Sequence, residues 1–228
     1  MLWLCNERLF LIPALAHGFG RNDFNEDDLR AFAREYNFQP VLLDQIHSDV
    51  VHIIEDAPSV RPRGDALVSN VPGLLLVVKT ADCLPLLLMD ERLRVVAAVH
   101  AGWRGTRSRI VQKTVRAMKA RFGTNPADII AAPGPCIGPA CYEVGEDVRS
   151  EFLSAEFPDD LFIPAGRPGK YFFNLNAANA LQLRSAGVPL GPPSPLSVCT
   201  HCDSDFHSYR RDHDTSRRMF SFIGLAAP

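Results

Sequence analysis

The chain has 228 residues, 46% of them hydrophobic and 22% charged, with a formal net charge of −2. That balance excludes a disordered, collagenous or coiled-coil chain. It also offers no overall field for polyanions, so neither nucleic acid nor a membrane surface is an expected partner. A chain of this length buries a core without cross-links, so its six cysteines are read as reduced and the protein as cytoplasmic.

The first apolar run, Leu9–Ala16, has the outline of a short secretory segment. Glu7 and Arg8 cancel where a basic stretch belongs, and Pro13 interrupts the run, so it is read instead as an edge strand entering the core. This run and Gly73–Val78 are the longest apolar stretches, far short of the roughly 20 residues that span a bilayer. Asn25 is a candidate cap for a helix whose apolar face is Leu29, Phe32, Ala33 and Tyr36. Buried strands follow at Val41–Leu43, Val50–Ile54, Ala66–Val68, Leu74–Val78, Leu86–Met89 and Val95–Val99. A second helix is marked by Ile110, Val111, Thr114, Val115, Met118 and Phe122, and a further strand by Ile129–Ala132. Leu175, Ala178 and Leu181 follow a cap at Asn174, and Met219–Ile223 closes the series as a strand. Dense Pro and Gly mark Pro158–Gly169 and Pro189–Pro195 as long loops.

Strands dominate the first half and helices are interspersed in the second, without regular βαβ alternation. This order predicts a layered α+β fold with mixed β-sheets, one domain over residues 1–228. Gly18-x-Gly20 does not extend to a dinucleotide fingerprint, and no P-loop occurs.

Three strand ends carry residues that a core does not require. Gln45-Ile46-His47-Ser48, Thr80-Ala81-Asp82-Cys83-Leu84-Pro85 and His100-Ala101-Gly102-Trp103-Arg104-Gly105 each place one nitrogen or sulfur donor where a strand becomes a loop. His47, Cys83 and His100 form a three-ligand set of the kind zinc uses in catalytic sites, with the fourth position left open. Spacing alone leaves open a hydrogen-bonded core histidine and an inert buried cysteine. Cys199-Thr200-His201-Cys202 with His207, and with Cys136 and Cys141 as partners, is a candidate zinc knuckle or close thiol pair. Arg107, Arg109, Lys113, Arg116, Lys119 and Arg121 make one helix basic. That is a solvated face or, in a non-catalytic binding module, a docking surface.

Taken in order, His17-Gly18-Phe19, Gln45-Ile46-His47-Ser48, Asp65-Ala66-Leu67-Val68, Thr80-Ala81-Asp82-Cys83-Leu84-Pro85, His100-Ala101-Gly102-Trp103-Arg104-Gly105, Gly134-Pro135-Cys136-Ile137-Gly138-Pro139, Tyr142-Glu143-Val144-Gly145 and Ser208-Tyr209-Arg210-Arg211-Asp212 resemble the YfiH-like family. Its members are called multicopper polyphenol oxidoreductases or laccase-domain proteins, and also purine nucleoside phosphorylases. The resemblance runs from about His17 to Gly224 and implies a four-layer α/β/β/α domain with one zinc on His47, Cys83 and His100. It further implies phosphate-dependent cleavage of adenosine, inosine, guanosine and S-methyl-5′-thioadenosine, with adenosine deaminase activity beside it. Arg104, Arg210 and Arg211 are the candidate phosphate-binding and catalytic cations. A monomer or weak homodimer is expected, with purine nucleosides and inorganic phosphate as its small-molecule partners.

Two departures from the family pattern stand out. The Gly/Ser-rich stretch that usually follows His-Gly-Phe is short here, and Arg107-Ser108-Arg109, His207 and His213 stand where smaller or aromatic residues are usual. Rival readings are a metal-free cysteine hydrolase, with Cys83 as nucleophile, His100 as base and Asp82 as orienter, and a laccase-like copper oxidase. The copper reading is served poorly by seven scattered histidines.

Overall fold

The structure, a computed structural model, describes residues 2–191 and 198–227. Its elements in chain order are β1 (Trp3–Leu4), α1 (Glu7–Phe10), β2 (Leu15–Gly20), α2 (Glu26–Glu35), β3 (Gln39–Leu42), β4 (Val51–Ile53), β5 (Ala66–Ser69), β6 (Leu74–Thr80), β7 (Leu84–Asp90) and β8 (Val95–Ala101). There follow α3 (Trp103–Arg107), α4 (Ile110–Phe122), β9 (Ile129–Pro133), β10 (Glu143–Gly145), α5 (Glu146–Ser154), β11 (Phe162–Pro164), β12 (Lys170–Phe173), α6 (Leu175–Ser185), α7 (Tyr209–Asp212) and β13 (Met219–Leu225). No helix among the described residues is long and apolar enough to cross a membrane.

Two five-stranded mixed sheets, ordered β1-β2-β13-β6-β3 and β4-β5-β8-β7-β9, form the body, beside a small antiparallel sheet β10-β12-β11. Alternation along the central strands decides the layering, because successive side chains leave a strand on opposite faces. In β6, Leu74, Leu76 and Val78 meet Leu87, Met89, Val96 and Ala98 of the other sheet in a shared inner core. Leu75 and Val77 face the other way, onto Leu29 and Ala33 of α2. In β8, Val95, Ala97 and Val99 face outward against Ile110, Val111, Val115 and Met118 of α4 and Ala178 of α6. Both faces of each sheet are thus covered, which is why these strands read as continuous apolar runs rather than as alternating ones. The result is the four-layer α/β/β/α arrangement.

All eight strands anticipated from Val41 onward are present, as are the three helices. Asn25 caps α2 through a reciprocal capping box with Asp28, and Asn174 caps α6 through the N–H of Ala177. Two assignments are corrected. Leu9–Ala16 is not an edge strand: Asn6 caps one helical turn at Glu7–Phe10, Leu9 and Ile12 plug the inner core, and the strand begins at Leu15, between β1 and β13. Pro158–Gly169 is not plain loop, because Phe162–Pro164 pairs with β12 and its Phe162 ring stacks on Phe173 at 4.7 Å. Of Pro189–Pro195, residues 192–195 lie outside the described residues.

Candidate metal centre and active site

Sheet register brings the distant motifs together. Pro85 pairs with His100 and Ala66 with Val99, so the start of β7, the start of β5 and the end of β8 meet at one end of the central strands. Cys83 enters just before β7 and Asp65 just before β5. The loop after β3 carries His47 to the same point. The ligand atoms of His47, Cys83 and His100 all lie within 4.8 Å of one another. The two imidazoles meet edge to face, 4.9 Å between centroids. Gly102 closes the cluster from below: a Cβ there would sit 3.1 Å from Cys83 Sγ and 3.2 Å from His47 Cδ2. Only a glycine lets the backbone run this close beneath the donors without displacing them.

Asp65, quoted within a motif but given no role from sequence, organises the cluster. It is fully buried, and its Oδ1 accepts from His100 Nδ1 at 2.8 Å and from the His47 N–H at 3.1 Å. Its Oδ2 accepts from the Ser48 N–H at 2.5 Å and the Ser48 hydroxyl at 2.7 Å. Burial opposes ionisation, but the hydrogen bonds from His100 and Ser48 and the His100 charge outweigh it and bring the carboxyl down to about 2. His47 takes up a left-handed backbone, φ 56°, which turns successive N–H groups of the loop toward the one carboxylate. The anion also holds a proton on His100 Nδ1, so that Nε2 is the ring atom turned toward the sulfur. Carboxylate–histidine pairs play this part behind metal ligands. Burial alone would raise the Cys83 thiol, but the His100 charge and hydrogen bonds from His100 and His47 bring it down to about 6. Cys83 is therefore held as the thiolate, the form that ligates.

The donor set fits a divalent ion: two imidazoles and one thiolate converge, a buried carboxylate orients one of them, and the open side faces a cavity of about 640 Å³. Trp103, Ile137, Tyr142 and Leu175 give the cavity its apolar and aromatic wall, and Arg104 and Arg210 line it as well. The Arg104 guanidinium stacks 4.3 Å over the Trp103 ring and Arg210 lies 5.5 Å over Tyr142. Neither guanidinium has an ion pair or hydrogen-bond acceptor among the described residues. Their faces are covered and their N–H edges are free, as anion binding requires.

The other anticipated cation does not join them. Arg211 donates to the carbonyls of Thr200 (2.9 Å), His201 (3.3 Å), Asp203 (3.3 Å) and Phe206 (2.8 Å) and pairs with Asp212. It braces the 200–206 loop instead of facing the cavity. Asp82 is not the orienter of His100 either. Its Oδ1 accepts from the Thr200 hydroxyl at 2.7 Å and its Oδ2 from the Arg210 backbone N–H at 2.7 Å, which fixes the segment that presents Arg210. The six basic residues do not share one helix: Arg107 ends α3 and Arg109 precedes α4, and Arg107 meets Glu151, Arg109 donates to the Ala155 carbonyl, Lys113 pairs with Asp49 and Arg121 with Glu55. In the candidate knuckle, His207 lies instead beside Asn22, while Cys141, His201 and Cys202 cluster.

Comparison with known proteins gives the family. A purine nucleoside phosphorylase of Deinococcus radiodurans is 44% identical over 186 residues, 80% of this chain and 69% of that protein. An adenosine deaminase, RL5, from an unknown prokaryotic organism is 40% identical over 161 residues, 70% of this chain and 61% of that protein. The crystal structure of the hypothetical protein YfiH of Bacillus licheniformis superposes with a TM-score of 0.83 at 29% identity, covering 92% of each chain. The model of the multi-copper polyphenol oxidoreductase laccase family, the YfiH-like family, matches residues 23–226, and the chain belongs to that family.

Proposed function

We propose that the protein is a zinc-dependent purine nucleoside phosphorylase of the cytoplasm, acting on adenosine, inosine, guanosine and S-methyl-5′-thioadenosine, with adenosine deaminase activity beside it. The observation that carries this reading is the convergence of His47, Cys83 and His100 in a cavity that also holds two guanidinium groups with no acceptor among the described residues. The names of the Deinococcus and RL5 relatives support the two activities.

The residues divide the work as follows. When bound, zinc supplies Lewis acidity and activates water. His47, Cys83 and His100 hold it, and Asp65 keeps His100 oriented with its proton on Nδ1. Arg104 and Arg210 bind inorganic phosphate, and Asp82 positions Arg210 through the backbone. Trp103, Tyr142 and Leu175 hold the flat base against the apolar wall and exclude water. In phosphorolysis a phosphate oxygen forms the new bond to C1′ of the sugar while the C1′–N bond to the base breaks. The base leaves with that electron pair and takes up the proton that the attacking hydrogen phosphate gives up, so the step balances. Burial pushes the Tyr142 phenol up, so it stays protonated and is the neutral O–H donor available to the departing base.

Two imidazoles and one thiolate with an open side toward the cavity are a donor set that zinc takes in catalytic sites. The test is incubation of metal-replete protein with inosine or adenosine, with and without phosphate, with products resolved by chromatography. Free base and sugar phosphate formed only with phosphate support the reading, and no base release under any condition defeats it. The Cys83, His100 and Asp65 alignment also favours a metal-free cysteine hydrolase as a second reading, oriented by Asp65 rather than Asp82. Turnover that survives complete chelation and is abolished by thiol alkylation would select it.

A further inference from the structure

A second group of soft donors lies outside the cavity. The turn after β9 carries Cys141, whose N–H donates to the Gly138 carbonyl at 3.0 Å, and Cys199–Cys202 forms a tight turn closed by Cys202 N–H to the Cys199 carbonyl at 3.1 Å. The ligand atoms of Cys141, His201 and Cys202 lie within 4.8 Å of one another, and the Cys141 and Cys202 sulfurs are 3.3 Å apart. Cys199 opens the same turn, beside this group. Its sulfur accepts the Gly138 N–H at 3.1 Å, a backbone hydrogen bond of the kind found around metal-bound cysteines. Gly138 is required for this approach, because a Cβ there would lie 3.1 Å from both Cβ and Sγ of Cys199.

We propose that Cys141, Cys199, His201 and Cys202 form a second, structural zinc site of three sulfurs and one imidazole, independent of the cavity ion. None of the four lines the cavity. A tetrahedral zinc with bonds of about 2.3 Å to sulfur sets its ligand atoms about 3.8 Å apart; those of Cys141, His201 and Cys202 already lie within 4.8 Å of one another, and Cys199 joins them by a side-chain rotation within its turn. A disulfide would use only two of the four donors and would not engage the imidazole. Zinc binding here releases the three thiol protons to solvent and leaves a closed site with no open position for substrate. The ion would pin the wall that bears Ile137 and Tyr142 to the segment that bears Tyr209 and Arg210. Sequence alone could not choose between Cys136 and Cys141 as partner. Cys136 is turned into the core, and Cys141 faces the turn.

The test counts metal in three proteins. Unaltered protein is expected to hold about two zinc per chain, protein with Cys83→Ala one, and protein with Cys83→Ala, Cys141→Ser and Cys202→Ser none. Because the triple variant can fail to fold, cobalt is also titrated into folded Cys83→Ala protein, where the cavity has lost its sulfur ligand. Thiolate-to-cobalt charge transfer with intense tetrahedral bands is expected there, together with a melting temperature that falls on chelation. A Cys83→Ala protein that binds cobalt with no charge-transfer band overturns the proposal. So does peptide mapping that finds Cys141 and Cys202 joined as a disulfide in metal-replete protein. Neither result bears on nucleoside turnover, which rests on the cavity residues.

Discussion

Replacing Asp65 with Asn is the sharpest probe of the site, because the substitution keeps shape and removes charge. The carboxylate takes two sets of donors, His100 Nδ1 and the His47 N–H on Oδ1, and the Ser48 N–H and hydroxyl on Oδ2. An amide has one acceptor oxygen. If that oxygen faces His100, the new NH₂ opposes the Ser48 N–H at a position where the present contact is 2.5 Å. If it faces Ser48, the NH₂ opposes His100 Nδ1, and the imidazole must move its proton to Nε2, the atom needed for the metal. In either orientation two charge-assisted hydrogen bonds are lost, at about 1.5–3 kcal/mol each, so unfolding stability drops by about 3–6 kcal/mol. Loss of a buried partner behind a ligating histidine weakens metal affinity about 10–100-fold. Stability is read by urea unfolding and affinity by competition with a chromophoric chelator. A variant that matches the parent within about 0.5 kcal/mol in stability and within about threefold in affinity would refute the assignment of Asp65 as the organiser of the cluster.

Three further outcomes follow from the structure. His17 is buried, its Nε2 accepts the Asn6 N–H at 2.9 Å, and burial brings its pKa down to about 4. Between about pH 6.5 and 4 the unfolded chain therefore binds more protons than the native one, and stability is lost as pH falls through that window. The loss is about 2.5 kcal/mol between about pH 7.5 and 4.5. Urea unfolding of His17→Gln protein should show this acid slope removed, and parallel profiles for the two proteins would count against it. Gly134→Ala places a Cβ 2.2 Å from the Phe19 ring, an overpacking expected to cost about 1–3 kcal/mol or more in thermal unfolding. Arg210→Ala should raise the KM for phosphate at least about tenfold by loss of a charge-assisted contact, with a smaller effect on nucleoside KM. Equal changes in both would place Arg210 outside the phosphate site.

Local chemistry made much of this molecule legible before any fold was known. The β-branched and leucine runs from Val41 to Ile223 are strands because both their faces are covered, and such strands need no alternation to be recognised. Asn25 and Asn174 announced their helices because a capping side chain acts within three residues of itself. By contrast, α5 and the β10-β12-β11 sheet escaped notice. Their segments are short and rich in charge, Pro and Gly, and they are ordered by packing on Phe152 and Phe173 rather than by a pattern of their own.

At the site, the sequence by itself determined which atoms were on offer: two imidazoles and a thiol at strand ends, and arginines close by. Tertiary structure alone decided which of them meet. Asp65 acts on His100 across 35 residues only because Ala66 pairs with Val99. Arg210 faces the cavity while its neighbour Arg211 is tied to the loop carbonyls, and Cys141 rather than Cys136 stands beside Cys202. Ionic, hydrogen-bonding and coordinate interactions fall away within a few ångströms, whereas separation along a chain sets no distance in space. The donors are therefore written in the residue order, and their convergence is written in strand register.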